Sequence, residues 1–178
     1  MRESISGLHD RGSHVNVSDG GHLENLAVYE LLRRRCQFIV SVDSGADPQH
    51  SFGALVRLIR FAKIDMGIKI ESDLSDLEKD EHGLCRKHWA VGTIRYGEDQ
   101  VGHLLYVKAS LTGDENPYVR EYAEQHPLFP HESTANQFFT EPQFEAYRSL
   151  GYHAASRAIA EHAELAGLVE PQPEAATT

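Results

Sequence analysis

One stretch constrains the fold more than any other: His14 to Pro48, and within it Ser18-Asp19-Gly20-Gly21. Val15 and Val17 alternate with polar neighbours, the period of a short half-buried strand. An aspartate and two glycines follow, a combination that turns the chain sharply. Leu23 to Arg35 then has a helical pattern. Leu26, Ala27, Val28, Leu31 and Leu32 spread over much of its circumference, as in a well-buried helix. Phe38-Ile39-Val40-Ser41-Val42 is expected as a buried strand, ending at Asp43 and the turn Ser44-Gly45. Strand, turn, helix, strand is a βαβ unit with parallel strands. In such sheets chemistry collects beyond the carboxyl ends of the strands, where Asp19 and Asp43 both fall.

The pattern continues in kind. A second helix runs from after Asp47-Pro48 to about Ile64, with a stripe of Leu55, Leu58, Ile59 and Ala62. Gly67 precedes a short strand, Ile68-Lys69-Ile70. Residues 72–83 carry Asp73, Asp76, Glu78, Asp80 and Glu81 with little core material, a solvated acidic loop. Two strands flank the turn Gly97 to Gln100. The first places Trp89, Val91, Thr93 and Arg95 on one face and Ala90, Ile94 and Tyr96 on the other; Val101 to Ala109 returns. The short connection makes them an antiparallel hairpin. Asn116-Pro117 opens a short helix that stops before His126-Pro127. Pro127 and Pro130 bracket an extended segment. Thr134 with Gln137, and Thr140 with Gln143, have capping-box spacing. The second opens the longest helix, with a stripe of Phe144, Tyr147, Gly151, Ala154, Ala158, His162 and Leu165.

The expected fold is α/β, a mainly parallel sheet between helices with an added antiparallel hairpin. The expected organisation is a flexible lead-in over residues 1–13, one domain over 14–166 and a disordered tail over 167–178. There is no internal repeat.

Composition narrows the partners. A net charge of -10 disfavours nucleic acid and anionic membrane surfaces, which require clustered cations. The single basic cluster, Arg33-Arg34-Arg35, ends a helix, where cations complement the dipole. Two cysteines, Cys36 and Cys85, form no disulfide framework; they are expected to be unbonded and the chain cytoplasmic. No apolar run has the length of a signal peptide or a membrane span.

Among candidate sites the Asp-Gly-Gly turn is the strongest. A carboxylate on a strand-to-helix turn sits near the positive end of the helix, and the glycines permit a tight turn. The plainer reading is a turn or N-cap aspartate. Asp43 and Asp47, near His50, read as strand-end turn residues rather than cation ligands. His22-x-Glu24 lacks zinc-protease spacing. The acidic loop lacks the EF-hand order of oxygens. His126 and His131 read as loop contacts, and Cys36 as core. Gly20-Gly21 lacks the third glycine of a dinucleotide fingerprint. No cofactor or metal is expected.

Longer patterns add a resemblance. His14-Val15-Asn16-Val17-Ser18-Asp19-Gly20-Gly21-His22-Leu23-Glu24-Asn25-Leu26 resembles the second active-site motif of the patatin-like phospholipases. Tyr29 to Cys36, Asp43-Ser44-Gly45-Ala46-Asp47-Pro48, Phe129 to Phe139 and Phe144 to Arg148 are similar to a bacterial subgroup of large patatin-like proteins, so the likeness covers roughly residues 13–153. The resemblance implies the C-terminal portion of a lipid acyl hydrolase that works through a Ser–Asp dyad, with Asp19 as the dyad aspartate and Gly20 and Gly21 positioning it. The substrate class implied is a lipid ester, with no metal or cofactor, and the resemblance implies membrane association for full-length relatives. The sequence holds no Gly-x-Ser-x-Gly elbow, and Ser44 cannot be one because Val42 stands two residues before it. The chain is therefore expected to be inactive alone, and to meet an upstream patatin half or another copy of itself. The alternative is a non-catalytic α/β module that binds a partner.

Overall fold

A computed structural model describes residues 20–133 and 135–162. Asp19, the strand expected at Val15–Val17, the expected lead-in and tail, Thr134 and Leu165 lie outside the described residues. The elements are α1 (Tyr29–Arg33), β1 (Phe38–Asp43), α2 (Gly53–Met66), β2 (Lys69–Ser72), β3 (Trp89–Arg95), β4 (Val101–Lys108), α3 (Pro117–Gln125) and α4 (Glu141–Glu161).

The sheet is mixed, in the order β1-β4-β3-β2. β1 pairs parallel with β4, β4 antiparallel with β3, and β3 antiparallel with β2. It follows that β1, β2 and β4 run the same way and β3 alone runs against them. The expectation of a mainly parallel sheet therefore needs correcting. The hairpin is not appended at an edge but inserted between β1 and β2, so two of the three ladders are antiparallel. The crossover β1-α2-β2 leaves a gap of two strands, and the hairpin fills it.

Helices cover both faces. On one face Leu55, Leu58 and Ala62 of α2, with Leu32 of α1, pack against Ile39, Ile70, Ala90, Ile94 and Leu104. On the other, Ala154 and Ala158 of α4 meet Trp89, Leu105 and Val107. The N-terminal half of α4 packs Ala146 and Leu150 against Val119 and Tyr122 of α3 and against Phe129. Gly67 ends α2 at φ 67°, a left-handed conformation that suits glycine, and its N–H returns to Lys63 O.

Several local expectations change for identifiable reasons. The helix foreseen from Leu23 begins only at Tyr29. The buried carboxylate of Glu24 accepts the amides of Leu26, Val28 and Tyr29 at 2.8–3.2 Å, and Ala27 turns through φ 56°. β1 is buried on one face only, with Val40 and Val42 exposed. The segment at Pro127–Pro130 is a turn, not an extended run. In α4 the inner stripe is Gln143, Ala146, Leu150, Ala154 and Ala158, so Phe144 and Gly151 face outward. The side chain of Asn116 caps α3 and that of Thr140 caps α4, as foreseen, but no helix follows residue 134 before Thr140.

Candidate functional site

β1 and β4 end together, and a cleft of about 670 Å³ opens beyond their carboxyl ends. Its floor is a buried ion pair. Asp43 and Lys108 are register partners at the last position of the parallel ladder. Lys108 Nζ donates to Asp43 Oδ2 at 3.0 Å, and Tyr106 Oη donates to the same oxygen at 2.6 Å. The Gly45 amide donates to Asp43 Oδ1 at 2.9 Å, and Lys108 also donates to Gly45 O. A Cβ at Gly45 would stand 3.0 Å from Asp43 Oδ1, so this close approach favours glycine. Burial and the Asp43 carboxylate push the Tyr106 phenol far above its ordinary value, so it stays a donor. Asp43 is thus more than a turn residue, and its counter-cation is Lys108.

The loop from β1 to α2 forms one wall. Asp47 accepts from the Ser51 amide at 2.9 Å, the Ser51 hydroxyl at 2.8 Å and the Phe52 amide at 2.8 Å. These bonds hold His50 and Phe52 at φ 50° and 52°, a conformation that costs roughly 1–2 kcal/mol per residue elsewhere. Ser51 and Asp47 look superficially like a Ser–Asp pair. Burial raises the Asp47 carboxyl, but the three hydrogen bonds outweigh it and hold the group below its ordinary value, so it is a poor base. Gln49 stands where an elbow requires glycine. Asp47 is a cap for the loop, consistent with the reading of Asp47 as a turn residue.

Behind this wall lies a feature absent from the sequence expectations, a pair of buried histidines. His50 Nε2 and His131 Nε2 are 3.0 Å apart. Leu77 O, 2.8 Å from His50 Nδ1, can only accept, so His50 carries its proton on Nδ1. His50 Nε2 is then the acceptor and His131 Nε2–H the donor. His131 Nδ1, left with a lone pair, accepts the Asp47 amide at 3.4 Å. The chain of bonds is complete only with both rings neutral. Burial is the largest reason that both are held below the ordinary histidine value, His131 to about 4; Lys79 and Lys108 add repulsion, and Asp47 opposes it. Cys85 Sγ donates to Leu77 O at 3.2 Å, and burial pushes its thiol up. Cys36 and Cys85 are both free thiols.

This pair makes stability depend on pH. His131 binds its proton near pH 6.5 when unfolded and near 4 when folded, so between those values the unfolded chain holds more protons. Stability is full above about 6.5 and falls as the pH drops toward 4. At about 1.4 kcal/mol per pK unit the full loss is on the order of 3 kcal/mol. Urea unfolding at pH 7 and pH 4.5 measures it. His131→Asn should flatten that slope, and an unchanged slope would refute the assignment.

The dyad candidate is only partly visible. Asp19 lies outside the described residues. Gly20 opens a 3-10 turn, Gly20–His22, and is exposed; a Cβ there meets no described atom within 4 Å. Asn25, five residues on, lines the cleft, and Ser41 Oγ of β1 donates to Leu26 O at 3.4 Å. The segment leaving the Asp-Gly-Gly turn therefore passes along β1 into the cleft wall. His126 stacks on Tyr122, a loop contact as foreseen, whereas His131 is core. Among the described residues no helix is long and apolar enough to cross a membrane. No family model, curated protein or solved structure matches this chain.

Proposed function

We propose that this chain supplies the aspartate-bearing portion of a patatin-like acyl hydrolase acting on lipid esters, with Asp19 as the base of a Ser–Asp dyad. The observation that carries the reading is the edge beside that turn. β1 is an edge strand among the described residues, and its exposed Val40 and Val42 share one face, 52% and 63% accessible. α4 covers the neighbouring strands on that face and leaves this corner open. An open parallel edge with apolar side chains is what a sheet presents where further strands add. A segment carrying Gly-x-Ser-x-Gly and its oxyanion amides, joining there, would bring a serine to the carboxyl ends of the strands. Asp19 would then take the serine proton directly, without histidine.

A second reading, a binding module without catalysis, is favoured by a specific observation. No described buried side-chain nitrogen or oxygen lacks a partner, and the groups of the cleft satisfy one another. The two readings differ in what the edge does. On the enzyme reading the purified chain alone hydrolyses no lipid ester, and light scattering finds dimers or larger species that Val42→Lys disperses. Adding a segment with the serine elbow restores hydrolysis. A strictly monomeric chain that melts cooperatively, unaffected by Val42→Lys, would favour the module.

A further inference from the structure

Beside α4, three residues from different elements converge. His88 immediately precedes β3, Asp114 lies in the loop between β4 and α3, and His153 is on α4. One ligand atom from each lies within 4.8 Å of the others. His153 Nε2 is 3.1 Å from Asp114 Oδ1. Two ligands of a tetrahedral ion with bonds of ~2.0–2.1 Å stand ~3.3 Å apart, so this edge is already close to set.

The hydrogen bonds around His88 bear on its tautomer. The Ser110 hydroxyl donates to Lys108 O at 3.2 Å, and His88 Nδ1 is 3.2 Å from that hydroxyl oxygen. His88 Nδ1 therefore carries the proton it donates, and Nε2 presents a lone pair. Its near neighbour is Thr112 Oγ1, at 3.0 Å. The same hydroxyl stands 2.6 Å from Asp114 Oδ1 and 3.3 Å from Glu115 Oε1. Glu115 Oε1 already accepts the Thr112 amide at 2.6 Å and Asp114 Oδ1 faces His153 Nε2, so the Thr112 hydroxyl proton is left for His88 Nε2. His88 is 1% exposed, and its Nε2 lone pair lies within this cluster. Arg157 meets Asp114 at Oδ2, which orients the carboxylate and leaves Oδ1 turned toward the histidines.

We propose that His88, Asp114 and His153 bind a divalent transition-metal ion of the zinc class through Nε2, Oδ1 and Nε2. Two imidazoles and one carboxylate suit zinc, cobalt or nickel and not magnesium or calcium, which take oxygen. On binding, the His153 ring proton moves from Nε2 to Nδ1, which gives Nε2 its lone pair, and the Thr112 hydroxyl turns to Glu115. Ser110, which holds His88 through Nδ1, is the outer partner that such a ligand requires. An adjoining cleft of about 440 Å³, lined by Tyr152, His153 and Arg157, gives the ion a path in and leaves its fourth position to water.

Zinc titration of the intact chain by calorimetry at pH 7.5 tests this. One ion per chain is expected, with a raised melting temperature, and cobalt should give the visible absorption of a four-coordinate nitrogen–oxygen site. The chain has 11 histidines, so variants locate the ion. His153→Ala and Asp114→Asn should each weaken binding by more than ~10-fold and abolish the thermal shift. Both positions are partly exposed, and the fold of each variant is checked by its circular dichroism. Absence of stoichiometric zinc binding, equal affinity in both variants, or displacement of zinc by equimolar magnesium would each overturn the proposal.

Discussion

Asparagine in place of Asp19 should, on the proposed function, abolish most ester hydrolysis in an assembly that joins this chain to a segment carrying a Gly-x-Ser-x-Gly serine. The substitution keeps size and hydrogen-bonding reach and removes the negative charge, so the serine loses the acceptor for its proton. General-base assistance is worth ~100- to 10,000-fold, and the loss should fall on kcat with KM little changed. The melting temperature should stay close to that of the parent, since the change keeps size and the neighbouring Gly20 is exposed. Asp47→Asn is the informative companion. It loosens the loop before α2 and should lower stability, yet leave turnover nearly intact, because the Asp47 carboxylate is already occupied by three hydrogen bonds. Turnover that survives Asp19→Asn but not Asp47→Asn would transfer the dyad to Ser51 and Asp47.

What the sequence made legible, and what it hid, follows the range of the forces involved. Local signals were strong where one residue decides a conformation: Gly67 at the end of α2, Asn116 and Thr140 as caps, the hairpin turn after Arg95. The alternation of β3 also placed Trp89 and Ala90 in opposite cores. The order of strands was not legible, because β4 pairs with β1 across some sixty residues and nothing local encodes that choice. The helix start was misplaced because Glu24 is an ordinary helix former by propensity; only burial turns its carboxylate into a cap. The site behaved likewise. His50 and His131, and likewise His88, Asp114 and His153, are scattered along the chain and meet only through the packing of α4 and the loops. A histidine beside proline reads as surface until the turn at Phe129 buries it.

The largest effect on stability is expected at Lys108. Lys108→Met keeps much of the side chain's length and apolar bulk but removes the ammonium, leaving Asp43 charged and 6% exposed at the sheet's end. The Tyr106 hydroxyl and the Gly45 amide would still donate to it, so hydrogen bonding survives and the loss is one of charge. Breaking a buried pair from one side typically costs ~3–5 kcal/mol, because the remaining charge is stranded away from water. Urea unfolding at pH 7 should show that loss as a lower midpoint with an unchanged slope. The double replacement Asp43→Asn with Lys108→Met strands no charge and should recover a large part of it, although neither original interaction returns. That recovery separates desolvation of a lone carboxylate from ordinary loss of packing, which would leave the double variant at least as unstable as the single one. A cost below about 1 kcal/mol for Lys108→Met would place the pair among solvent-screened surface bridges. The cleft would then be wetter at its base than the 1% exposure of Lys108 implies, and Asp43 would stand open to a ligand cation rather than tied to the fold.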